Sequence, residues 1–118
     1  MANELTLTAS MLFEKGGVTP KITGSKQVTI TGDAYTKGVQ TVGTVEEELV
    51  QGADLGTPGY VFIKNLDATN YVEIGATTGV YDIRLRAGEF ALYRHNSATV
   101  FAKANTTACN VEYFFVED

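Results

Sequence analysis

With 118 residues the chain has the length of one domain, and it can bury roughly two-thirds of the surface its unfolded form exposes, so no disulfide or metal staple is needed. Hydrophobic residues at 44% and charged residues at 19% exclude a disordered chain, and a net charge of −5 opposes binding to a phosphate backbone. The single Cys109 cannot close an intramolecular disulfide, and no stretch approaches the roughly twenty apolar residues that span a membrane.

The opening residues, MANELTLTAS, lack a basic segment followed by an apolar run, so no secretory leader is expected. A soluble protein made in a cytoplasm is the reading. Glu4 to Phe13 alternates, with Leu5, Leu7, Ala9, Met11 and Phe13 on one face and Thr6, Thr8 and Ser10 on the other until Leu12 breaks the pattern. That predicts a half-buried strand. Glu14 to Gly17 turns the chain, and Val18 to Gly24 passes through Pro20, which donates no ladder hydrogen bond and so implies an edge or a bend. Lys26 to Thr31 forms a short Val28/Ile30 strand, Gly32 to Gly38 is an excursion, and Val39 to Val42 is a strand able to join the same sheet.

Val45 to Val50 is too short for a stable helix between Gly43 and Gly52, and it reads as an edge strand whose glutamates discourage sheet pairing. Asp54 to Gly59 is a Gly/Pro loop joining two halves, neither of which can bury a convincing core alone. The remainder is the clearest part. Tyr60–Lys64, Tyr71–Gly75, Val80–Arg86, Glu89–Arg94, Thr99–Ala104 and Ala108–Glu117 are strands rich in Val, Ile, Tyr and Phe at roughly ten-residue spacing. Gly88 is placed where a tight turn needs positive φ, and Asn65 to Asn70 offers side chains that close another turn. Tyr81, Ile83 and Leu85 share a core face, and so do Cys109, Val111, Tyr113 and Phe115. Phe114 and Val116 face away from that second set, which makes either a strand covered on both sides or a subunit contact.

These elements predict an all-β fold, an antiparallel β-sandwich with a jelly roll among its forms, as one domain over residues 1–118. Little in the sequence carries chemistry. His95, the only histidine, reads as a surface turn residue, and Cys109 as a small core hydrophobe. One His and one Cys cannot build a closed zinc site, and the acidic residues lack the loop pattern of a calcium hand. No cofactor or metal is implied, and the chain reads as non-enzymatic. Lys64, Arg84, Arg86, Arg94 and Lys103 could line a basic strip, but the acidic total argues against nucleic acid. A carbohydrate-binding module would rely on exposed aromatics, and without Trp only Tyr35, Tyr81 and Tyr93 qualify.

Three stretches together resemble a family of small virion-associated proteins of tailed bacteriophages. They are Gly59 to Gly75 (GYVFIKNLDATNYVEIG), Arg86 to Arg94 (RAGEFALYR) and the closing Asn110 to Tyr113; the opening Met1 to Thr8 is similar too. The resemblance covers most of the chain but rests on turns and strands. It implies a particle component made in the bacterial host, with the major capsid protein or other virion proteins as partners. As a capsid decoration or cement protein, the chain would sit on the shell as a symmetric homo-oligomer such as a trimer. Its buried contacts would then be Leu5, Leu7 and Leu12 of the first strand, or Phe114 and Val116 of the last. The alternative is a tail, baseplate or fibre component that docks through one edge and presents loops such as Asp33–Gly38 and Ala76–Gly79.

Overall fold

Residues 4–117 are described by a computed structural model of the chain, in which every sheet is antiparallel and no residue is helical. Ten strands occur among these residues: β1 (Leu5–Leu12), β2 (Lys21–Val28), β3 (Tyr35–Val42), β4 (Glu47–Glu48), β5 (Pro58–Asn65), β6 (Val72–Gly75), β7 (Ile83–Leu85), β8 (Phe90–Arg94), β9 (Phe101–Ala104) and β10 (Cys109–Glu117). The chain divides into two compact units, Met1–Thr31 and Gly32–Asp118. The division falls well before the Asp54–Gly59 loop, where the sequence joins its two halves. Pro58 and Gly59 are instead buried at the start of β5.

The first unit is a hairpin in which β1 and β2 pair along their whole length, from Leu5 opposite Val28 to Leu12 opposite Lys21. Lys15 and Val18 exchange two backbone hydrogen bonds of 3.2 Å around Gly16 and Gly17. Both glycines have positive φ (62° and 84°), which matches the right-handed twist of the flanking strands. The segments that the sequence separates as Val18–Gly24 and Lys26–Thr31 are thus largely one strand, and Pro20 sits at its start, where its missing N–H is harmless. That strand pairs with β1, so it does not share a sheet with Val39–Val42. No described side chain of this unit is buried; the half-buried strand expected at Glu4–Phe13 is mostly exposed, because a two-stranded ribbon encloses nothing.

The second unit holds two four-stranded sheets, ordered β3-β10-β5-β8 and β4-β9-β6-β7. One cluster draws on both: Val42, Val61, Ile63, Val111, Tyr113 and Phe115 from the first, with Leu49, Val72, Ile74, Leu85, Val100 and Ala102 from the second or its flanks. Each large aliphatic side chain removed from water here stabilises by about 1.5–3 kcal/mol, which is what fixes the inward register. β10 carries a long inward run, in which Cys109, Val111, Tyr113 and Phe115 alternate with outward residues.

Two turns lock the sheets together. Buried Asn65 ends β5, donating from Nδ2 to the carbonyls of Asn70 (2.9 Å) and Leu85 (3.0 Å) and accepting the Asp67 N–H on Oδ1 (2.9 Å). Asp67 in turn accepts from Thr69 and Asn70, as its place in an Asx-type turn implies. Gly88 has φ 77° between β7 and β8, the geometry that its position predicts. The Val45–Val50 strand shrinks to Glu47–Glu48 at the sheet edge. Gln40 holds this segment to β3, donating to Glu47 Oε1 (2.8 Å) and accepting the Val50 N–H (2.9 Å). Tyr113 reaches the same segment with its hydroxyl on the Val50 carbonyl (2.8 Å).

Candidate functional site

The residues with chemical reactivity are taken up by the fold. His95 is buried rather than on the surface: its Nε2 lies 2.7 Å from the Thr99 carbonyl and its backbone N–H donates to Gly59 (2.8 Å), so the ring bridges the turn that it begins. Its other neighbour is Tyr93, edge-on at 5.7 Å between ring centroids. Cys109 is fully buried, as its place on the inward face of β10 implies, and burial, with the nearby Asp67 carboxylate, pushes its thiol up. Such a thiol is a poor nucleophile at neutral pH. Among the described residues no three of His, Cys, Asp and Glu gather as metal ligands would.

The acidic run is also more structural than its pattern suggests. Glu46 Oε1 accepts the Tyr81 hydroxyl (2.5 Å) and the Gly79 N–H (2.7 Å). These bonds hold the Glu46 carboxyl below its usual range and push the Tyr81 phenol up to about 12. Glu47 Oε2 accepts the Gly43 N–H (3.1 Å), so two of the three glutamates close turns. Only a three-dimensional partner distinguishes such a residue from one that is merely solvated.

Many of the exposed large hydrophobic side chains gather on two faces, with Val45, Val50, Leu66 and Val80 exposed elsewhere. The first is the outer side of the β3-β10-β5-β8 sheet. Its register sets Tyr35, Val116, Tyr60 and Arg94 in one row, Lys37, Phe114, Phe62 and Leu92 in the next, and Val39, Glu112, Lys64 and Phe90 in a third. Tyr35 is 68% exposed, Phe90 61% and Phe114 37%. The rings engage one another across strands, Phe62 stacked on Phe90 at 5.5 Å and Tyr35 edge-on to Phe114 at 6.0 Å. Lys37 lies over the Phe114 ring and Arg94 over the Tyr60 ring. Cross-strand contacts of this kind stabilise the sheet and leave Tyr35, Phe90 and Phe114 exposed.

The second face belongs to the hairpin. Residues directly opposite in an antiparallel pair share a side, so Leu5, Leu7, Ala9, Met11 and Phe13 lie with Val28, Lys26, Gly24, Ile22 and Pro20. The reverse side is Thr6, Thr8, Ser10, Thr23, Ser25 and Gln27, joined at one end by Leu12 and Lys21. Met11 is 70% exposed and Ile22 69%. Toward the tip, Met11, Leu12, Phe13, Pro20, Lys21 and Ile22 line an open hollow of ≈ 490 Å³. Contiguous exposed apolar surface of this kind marks a contact site.

The five contact residues named from sequence divide between these faces. Leu5 and Leu7 lie on the apolar side of the hairpin and are half-buried, whereas Leu12 is exposed on the hydroxyl-rich side. Phe114 and Val116 lie together on the outer side of the sheet, beside Phe62, which the sequence does not single out, and Tyr35, which it names only among the exposed aromatics a carbohydrate could use. Period-2 alternation in β3 and β5 places Tyr35 and Phe62 on that side, once the pairing of these strands with β10 is known. Comparison with protein-family models, with curated proteins and with solved structures finds no match.

Proposed function

We propose that the chain is a structural protein of a tailed-bacteriophage virion, a decoration or cement protein that binds the assembled head and stabilises it. On this reading the second unit is a β-sandwich, its partners are the major capsid protein or its own copies, and it catalyses nothing. The observation that carries the proposal is the pair of uncovered apolar faces on a fold whose core is already filled without them. The resemblance of Gly59–Gly75 and Arg86–Arg94 to small virion proteins supplies the setting. Cement chemistry asks for little else: a protein that binds the finished shell better than free shell subunits shifts the equilibrium toward the shell. Nothing in it requires a nucleophile, a metal or a cofactor.

The test separates contact from core on one strand. Phe114→Asp or Val116→Asp is expected to leave the isolated protein folded, by circular dichroism and melting temperature, while releasing it from particles in a sedimentation assay. Retention on particles, or unfolding of the isolated variant, would contradict the assignment of that face.

A further inference from the structure

Charge is segregated on the second unit. It holds six of the nine Lys and Arg residues and twelve of the fourteen Asp and Glu. Three of those six cations, Lys37, Lys64 and Arg94, stand in the three outer rows of the β3-β10-β5-β8 sheet. Of the twelve acids only Glu112 shares those rows, directly opposite Lys64. This face is therefore net positive on a unit that is net negative. An acidic total opposes a polyanion only where the charge is spread evenly, because salt screens exposed charges more than about 8–10 Å apart.

The same face carries a diagonal of rings, one from each strand: Tyr35 on β3, Phe114 on β10, Phe62 on β5 and Phe90 on β8. Tyr35 touches Phe114 and Phe62 stacks on Phe90, so the diagonal is made of two ring pairs. Strands about 4.8 Å apart, rising about 3.3 Å per residue, give it a length of roughly 20 Å. Lys37 and Lys64 flank it on one side and Arg94 on the other. Lys37 lies over the Phe114 ring and Arg94 over the Tyr60 ring, contacts that orient a cation without cancelling its charge. We propose that this face binds a single-stranded nucleic acid, with bases against the ring diagonal and phosphates at Lys37, Lys64 and Arg94.

Charge and rings together select this occupant. The positive face calls for an anion, and four rings call for one that brings a flat ring with each charge. A single strand does so, and base–aromatic stacking accepts any sequence because every base has a π-face. A duplex keeps its base faces inside its own stack. A neutral sugar would leave the cations without partners, and an acidic peptide would leave the rings bare. The proposal goes beyond the virion role and concerns the free protein: Phe114 and Val116 belong to this face, so a strand and a shell would compete for it.

The test is fluorescence anisotropy of a labelled oligothymidylate of about 12 nucleotides, titrated with the full-length protein to about 100 μM at about 50 mM salt. Saturable binding is expected, with log affinity falling against log salt at a slope of roughly −2, as three phosphate contacts on a single strand require. An abasic strand of equal length, which keeps the charge and lacks the rings, is expected to bind at least about fivefold more weakly. Tyr35→Ala and Phe90→Ala are each expected to lose about fivefold or more, and Lys37→Gln to flatten the salt slope by about 0.7. All three side chains are exposed, so unchanged circular dichroism serves as the folding check. An absence of binding over the whole titration would overturn the proposal. So would equal affinity for the abasic strand, ring variants that bind like wild type, or an equal hold on polyglutamate, which would give the face to an acidic polypeptide. None of these measurements uses particles, so their failure leaves the virion reading standing, and release from particles or absence from them leaves this proposal standing.

Discussion

A Cβ added to Gly75 would stand 1.9 Å from the Val80 carbonyl oxygen, so the Thr77–Val80 turn folds back onto β6 only because that side chain is missing. Gly75→Ala is expected to cost about 1–3 kcal/mol or more, read as a lowered melting temperature, because the obstacle is backbone that cannot rotate aside. The same turn is held by Glu46, and the sign of its pH dependence follows from the directions of the two shifts. The Glu46 carboxyl is lowered from 4.5, so its stabilisation is complete above the ordinary carboxylate range and is lost as pH falls through the lowered value. Tyr81 is raised from 10.0 to about 12, so its share is complete below 10 and is lost as pH rises through about 12. Tyr81→Phe is expected to move Glu46 up toward 4.5 in an NMR titration of side-chain carboxyl carbons; an unmoved titration would mean that the hydroxyl does not hold it. Gly88 and the Asn65–Asp67 turn are legible in sequence because a turn is a local event. Glu46 is not, since its partner Tyr81 lies 35 residues on in the chain.

At the scale of elements, the last six strands can be read directly, because each alternates between a filled interior and an outer side. β10 shows it best: Phe115 is fully buried while adjacent Phe114 stays on the outer side. β1 alternates as cleanly, yet the amphipathic pattern says only that one side seeks cover and not whether the same chain provides it. The half-buried strand expected there is therefore part of a ribbon with no core of its own. Val45–Val50 fails differently, since Leu49 alone reaches the core and the rest of the segment is spent on closing turns. Local stability should differ accordingly. In free protein, amides of β1 and β2 are expected to exchange with deuterium far faster than those of β10 and β5, which lie inside a four-stranded ladder. Protection of the hairpin should appear only when its apolar side is covered; equal protection in free monomer would show that the ribbon is stable by itself.

For the molecule as a whole, composition and patterning predict the all-β class and the antiparallel pairing, while the division into two units depends on which surfaces find partners within the chain. The second unit fills its core without any residue of the hairpin, and the first unit has no core to fill. A chain so divided has apolar surface in excess of its own needs, and the proposed role is to lend that surface to a repeated assembly. Quantitative mass spectrometry of purified virions, giving copies of this chain relative to the major capsid protein, tests that role most directly. The account predicts copies on the order of hundreds, in simple ratio to the capsid protein, as repetition over a symmetric shell requires. A few to a few tens of copies would place the chain at a portal, tail or baseplate and contradict decoration of the head, and absence from particles would contradict the virion role itself.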